Sequence, residues 1–285
     1  MRRAMTEPRR LFVYLAADAP IAVVLSRGPT DWAQLSVWHT DSDRLVHGQW
    51  IKGRVYERRS DLSADGQLFA AFVRQSGGRD RHGADTWMAL SRPPYFSALA
   101  VWFVGGTYHT GPFFPARDVL WLGYQEDTPP DRGRLPKWLK IRQPRDIAYI
   151  DGTAEWTDRT VHFNRLLRDG WQLQAQEPYR TLWQRPHRQR PLVLQMVHEL
   201  TEARHQPWRC LVEYSVWNVA EKREYPIGHA TWADFDQRGR LVLARDGKLL
   251  HWMEESGRCE AIADLNGRDP DPQPAPASAL EWPRA

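Results

Sequence analysis

Asp61-Leu62-Ser63-Ala64-Asp65-Gly66-Gln67-Leu68-Phe69 is the stretch whose reading decides the fold. Asp65-Gly66 supplies a turn, because glycine takes positive φ without steric cost, and Leu68-Phe69 opens an apolar strand behind it. The pattern returns far downstream. Asp234-Phe235-Asp236-Gln237-Arg238-Gly239-Arg240-Leu241-Val242 keeps the leading aspartate, the glycine and the apolar pair. Ser36-Val37-Trp38 precedes the first copy, as Ser215-Val216-Trp217 precedes the second. A degraded third copy spans Phe114 to Trp121, with Asp118 in place of the turn glycine. Irregularly spaced copies of one small unit suggest a repeated sheet.

Around these copies the dominant period is two, the signature of strands with alternate side chains facing a core. Short runs recur at Ile21 to Leu25, Ala33 to Val37, Leu68 to Val73, Trp87 to Leu90, Ala98 to Phe103 and Val119 to Leu122. They continue at Leu192 to Val197, Leu211 to Trp217, Arg240 to Ala244 and Leu249 to Trp252. Asp-Gly, Gly-Gly and Pro-Pro separate them, so the chain reads as all-β. Leu241-Val242-Leu243 and Leu249-Leu250-His251 predict a hairpin about Asp246-Gly247, a pair suited to a type I′ turn. Helix is scarce: Asn164 to Gln176 is the best stretch, and Asp169-Gly170 in its middle predicts a turn between strands.

The stretch Asp61 to Phe69 resembles the blade motif of TolB-like and WD-repeat-like β-propellers, where a polar turn ending in glycine leads into an apolar inner strand. The resemblance implies that Leu68 packs between blades and that Asp61 bonds backbone groups of the turn. The length of 285 residues, at roughly 45 to 60 per blade, implies five or six blades closed by the N-terminal strands. Thr86 to Phe96 also looks like a segment of uncharacterised bacterial proteins and adds no chemistry. The expected organisation is a flexible N-terminus at 1–10, a propeller-like domain at 11–266 and a Pro-rich tail at 267–285. Closely spaced prolines make that tail an extended, disordered segment outside the fold, with Leu280 and Trp282 near its end.

Leu11 to Leu25 follows Arg2, Arg3, Arg9 and Arg10 and imitates a secretory leader. Asp18 and Pro20 interrupt it, which predicts two strands joined by Ala17-Asp18-Ala19-Pro20. No run approaches the apolar length of a membrane span, and two cysteines, Cys210 and Cys259, suit a reducing compartment, so a cytoplasmic location is expected. Thirty-four of the 39 basic residues are arginine, yet 35 acidic residues are interspersed and the formal charge is only +4. Electrostatics therefore does not compel an anionic partner. Fifteen tryptophans spread along the chain suit packing between small sheets.

No nucleophile elbow, phosphate-binding loop, dinucleotide fingerprint or zinc motif occurs. Asp61-x-Ser63-x-Asp65-Gly66 imitates the start of a calcium loop, but Phe72 stands where the bidentate glutamate belongs. Neither a metal nor a cofactor is expected. The expected function is a non-catalytic binding or scaffold module, a monomer within a protein complex. Arg54, Arg58, Arg92, Tyr95 and Trp138 form its candidate contact set. One alternative is a hydrolytic or carbohydrate-active propeller, with Asp61, Glu155 and Glu213 as nominees for axial carboxylates. Another is nucleic-acid contact through the basic stretch 132–145, where Arg132, Arg134, Lys137, Lys140, Arg142 and Arg145 surround Trp138. A solvated loop and guarded edge strand is the simpler reading of that stretch and is favoured over nucleic-acid contact. Arg180, Arg185, His187, Arg188 and Arg190 form a second basic run with the same ambiguity.

Overall fold

The computed structural model describes residues 7–28, 30–75, 85–107, 109–123, 128–142, 156–177, 180–200, 210–254 and 256–284. Glu155 and Arg145 lie outside them. The first blade is β1 (Arg10–Leu15), β2 (Ile21–Arg27), β3 (Trp32–His39) and β4 (Arg44–Lys52), paired in that order. The leader-like run is thus the β1–β2 hairpin, in register from Arg10 opposite Arg27 to Leu15 opposite Ala22. The second blade takes β5 (Arg54–Val55), β6 (Asp61–Leu62), β7 (Phe69–Arg74), β8 (Thr86–Ser91) and β9 (Ala98–Val104). The third begins with β10 (Phe113–Ala116) and β11 (Val119–Trp121).

The chain then crosses between blades. β12 (Arg132–Gly133) returns to the second blade along β9, and β13 (Lys140–Ile141) joins the third, parallel to β11. Gly133 sits at φ +82°, and a Cβ there would lie 2.0 Å from the Leu99 carbonyl oxygen, so only glycine lets this edge strand close on β9.

Helix α1 (Trp156–Arg168) precedes the fourth blade of β14 (Gln172–Glu177), β15 (Arg180–Pro186), β16 (Leu192–Leu200), β17 (Cys210–Asn218) and β18 (Arg223–His229). The fifth holds β19 (Trp232–Phe235), β20 (Leu241–Arg245), β21 (Lys248–Met253) and β22 (Arg258–Asp264). Five sheets make a five-bladed β-propeller. The predicted β20–β21 hairpin forms with Arg245 opposite Lys248, and Asp246 and Gly247 at φ 50° and 75° give the two positive values a type I′ turn needs.

The helix corrects the expected turn between strands. Gly170, at φ +91°, follows a helix instead of breaking one: Trp171 N–H donates to Leu166 O and Gly170 N–H to Leu167 O, the paired bonds of a Schellman ending.

Four apolar clusters join the blades among the described residues. Leu25, Leu35, Trp38, Phe69 and Val242 pack the first blade against its neighbours. Phe72, Trp102, Phe114 and Leu120 join the second to the third, with Leu68 among them as the resemblance implied. Phe163, Trp183, Leu194 and Leu243 join the helix, the fourth and the fifth. Val161 of the helix meets Phe113 and Trp121 of the third blade. Among the described residues no sheet mixes strands from the two chain ends. The ring closes by contacts: Arg240 forks onto Asp43, Thr231 Oγ1 donates to Leu11 O, and Gln237 reaches Ala16, Ala19 and Ile21 carbonyls.

The chain ends are held more closely than their compositions imply. Arg9 is buried over the Trp50 ring and its N–H donates to Asn266. The tail is not a frayed segment: Arg92 donates to Ser278 and Glu281 carbonyls, Gln49 to Gln273, Ala279 is buried, and Trp282 packs on the second blade's core. Leu280 stays exposed. No helix among the described residues is long and apolar enough to cross a membrane. Cys259 is a free, exposed thiol.

Candidate functional site

The copies quoted first become equivalent pieces of blades. Asp61 and Asp234 stand on β6 and β19, and Gly66 and Gly239 close the following turns at φ 72° and 74°. Asp61 does not bond its own turn, as the resemblance implied; Ser63 and Asp65 take that work, receiving Leu68 N–H and Gln67 N–H. Asp61, fully buried, instead accepts Phe114 N–H and a fork from Arg168 at 2.6 and 3.1 Å. Asp234 pairs with Arg185 at 2.8 Å and accepts from Trp171 Nε1 at 3.1 Å. Both copies have become anchors for an arginine from another element, a role that adjacent sequence does not reveal.

Helix α1 supplies the inner charges. Arg168 also donates to Phe114 O and lies 5.2 Å from the Phe113 ring centre. Burial works against its charge, but Asp61 and Asp169 override it and hold Arg168 above the ordinary arginine value. Arg165 is sandwiched 5.0 Å from both Phe12 and Tyr14, donating to the Ser60 and Glu57 carbonyls. Burial pushes Arg165 down and the Tyr14 phenol up, and it holds His162, beside Arg165, well below the imidazole range.

These elements border a cavity of about 700 Å³, walled by β1 and its turn, α1, the β15–β16 turn, β19 and the turn after it. Six arginines (58, 165, 168, 185, 188, 238) and four aspartates (18, 169, 234, 236) line it. Three of the aspartates are spoken for: Asp169 by Arg168, Asp234 by Arg185 and Asp236 by Arg240. Among the described residues, exposed Arg188 makes no hydrogen bond or ion pair, and buried Arg185 Nη1 has no partner. A buried donor left unmatched costs about 1 to 3 kcal/mol. Burial raises Asp234 to about 6, over the opposing pull of Arg185.

The structure divides the sequence-derived contact set. Arg58 lines the central cavity, and its charge acts on Tyr214 and His162. Arg54 lines a separate cleft and lies 4.6 Å from the Tyr56 ring centre. Arg92 holds the tail, half-buried Tyr95 closes the turn after it, and Trp138 packs on the second blade's core. The nominated carboxylates do not converge as described: Asp61 is sealed under Arg168 and Glu213 is exposed on β17. The basic stretch spans two blades, with Arg132 on β12 over the Phe103 ring and Lys140 on β13. Within the second basic run, Arg185 is braced by Asp234, whereas Arg190 pairs with Glu254. No metal-binding cluster occurs among the described residues.

The fold and cavity define a five-bladed β-propeller with a charged central site. No family model matches the chain, and no curated protein matches it in sequence. Solved structures similar in part include the tricorn protease, with TM-score 0.25 and 8% identity over 90% of this chain. This chain spans 26% of that protein's length. Sqt1 of Saccharomyces cerevisiae gives TM-score 0.27 and 8% identity, over 91% of this chain and 88% of its own. Likeness at that level carries no argument; the assignment rests on the sheets.

Proposed function

We propose that this protein is a non-catalytic binding module, WD-repeat-like in use, whose central cavity receives an acidic segment of a protein partner. The carrying observation is the excess of arginine over aspartate on the cavity wall, six to four, with exposed Arg188 making no hydrogen bond or ion pair among the described residues. Three turns from different blades surround the opening, containing Pro20, Gln189 and Gln237, and their spread suits a chain segment. Fold alone would not license this step; the charges do.

The group best placed for proton transfer, Asp234, supports binding over hydrolysis. One of its oxygens serves Arg185 and Phe235 N–H and the other serves Trp171, so it acts as a brace between blades.

A labelled hexaglutamate peptide, titrated into the full chain by fluorescence anisotropy, tests the proposal. Binding should weaken with added salt, and Arg188→Gln combined with Arg238→Gln should lower affinity about tenfold, or 1.4 kcal/mol. Arg132→Gln should leave it unchanged. No binding at low salt, or equal binding of hexalysine, overturns the reading.

A further inference from the structure

The stretch 132–142 carries Arg132, Arg134, Lys137, Lys140 and Arg142, all exposed, and no acidic residue. It crosses from the edge of the second blade, where β12 lies on β9, to the edge of the third, where β13 lies on β11. It shares no residue with the central cavity. Its apolar residues face one way: Leu135, Trp138, Leu139 and Ile141 all pack on the core that joins these two blades. The five cations are thereby left to the solvent side as one strip. Backbone bonds hold that strip in place, with Leu139 N–H donating to Pro136 O, Lys140 N–H to Asp118 O and Arg142 N–H to Leu120 O.

Sequence alone favours a guarded edge here, but two strands of two residues each need no more than a charge apiece. The strip carries more than that role requires. Among the described residues none of its cations forms an ion pair or a side-chain hydrogen bond, whereas Arg168, Arg185 and Arg240 are each braced by an aspartate. Asp131, just before the strip, is spent on Phe103 N–H. Closely spaced cations without counter-charges repel one another, so a polyanion gains more here than beside the paired arginines.

We infer that this strip binds single-stranded nucleic acid along its phosphate backbone. A linear row of cations matches a linear row of phosphates, and each contact releases counterions. Exposed Arg132 lies over the Phe103 ring at 5.2 Å, and half-buried Trp138 stands between the two lysines. Cations interleaved with flat groups suit unstacked bases. A membrane or a protein partner calls for apolar surface at the contact, and the exposed large hydrophobic residues Leu167, Leu173, Val219 and Leu280 all lie outside the strip.

Anisotropy of labelled oligo-dT of about 15 nucleotides, titrated with the full chain, tests this. The expected Kd is about 10 μM at about 0.1 M salt, with a log–log salt slope of about −3.5 from contacts worth about −0.7 each. Arg134→Gln, Lys137→Gln and Lys140→Gln together should weaken binding about a hundredfold and reduce the slope to about −1.4. All three positions are exposed, so the unfolding midpoint should not move, which separates lost binding from lost folding. Arg188→Gln with Arg238→Gln should leave the affinity for oligo-dT unchanged. No binding at low salt, equal affinity for a duplex of the same length, displacement by hexaglutamate, or a triple variant that binds like the parent overturns the proposal.

Discussion

Arg168→Ala should destabilise the protein by about 3 to 5 kcal/mol, because removing one partner of a buried ion pair strands the other. The structure sets the size of the effect. Asp61 is fully buried, and without Arg168 its remaining donor among the described residues is Phe114 N–H. The same substitution removes the donor to Phe114 O and the cation facing Phe113. Asp61→Asn should cost less, about 1 to 2 kcal/mol, since Asn keeps an acceptor for Phe114 N–H and Arg168 is 24% exposed and hydrates. The double variant should then be more stable than the sum of the two costs implies, by about 2 kcal/mol. Urea unfolding followed by circular dichroism and by tryptophan fluorescence gives these numbers if the two probes coincide. A loss below about 1 kcal/mol for Arg168→Ala, or strict additivity, would refute the claim that this pair holds α1 in the ring.

Asp234 gives a pH signature. Its carboxyl titrates at about 6, above the usual value near 3.9, so between those values the folded protein holds a proton that the unfolded chain has released. Stability from this group therefore falls as pH rises through that window, by up to about 3 kcal/mol, and Asp234→Asn should flatten the slope in a denaturant series. An identical slope in both proteins contradicts the assignment. Gly170→Ala should cost about 1 to 2 kcal/mol through its positive φ alone, since the nearest atom to an added Cβ is Arg185 Nη1 at 3.8 Å; an unchanged urea midpoint refutes this. Removing 267–285 should cost about 2 kcal/mol by uncovering the second blade's core beneath Trp282, and an unchanged thermal midpoint would show that the tail is unbound.

Much of the fold was legible because blades declare themselves locally. Period-two runs gave most strands, and Asp246-Gly247 gave a hairpin whose two positive φ values match. Blade number was harder to read. β14 is exposed throughout, and β12 and β13 have two residues each, too few for a pattern. The helix stayed hidden because its terminating glycine reads as a breaker unless the start of the helix is known. The site was the least legible part. Arg58 stood in the candidate contact set, but Arg165 and Arg168 acquire meaning only from Ser60 and Asp61, which lie 105 and 107 residues away. The charge of the cavity is a property of the closed ring.

Hydrogen exchange with and without the bound hexaglutamate peptide addresses the central claim most directly, because it locates the contact. The account predicts slowed exchange confined to the β1–β2, β15–β16 and β19–β20 turns, lost in the Arg188→Gln, Arg238→Gln variant. Protection centred on Arg132 to Arg142, or none at saturating peptide, would contradict it.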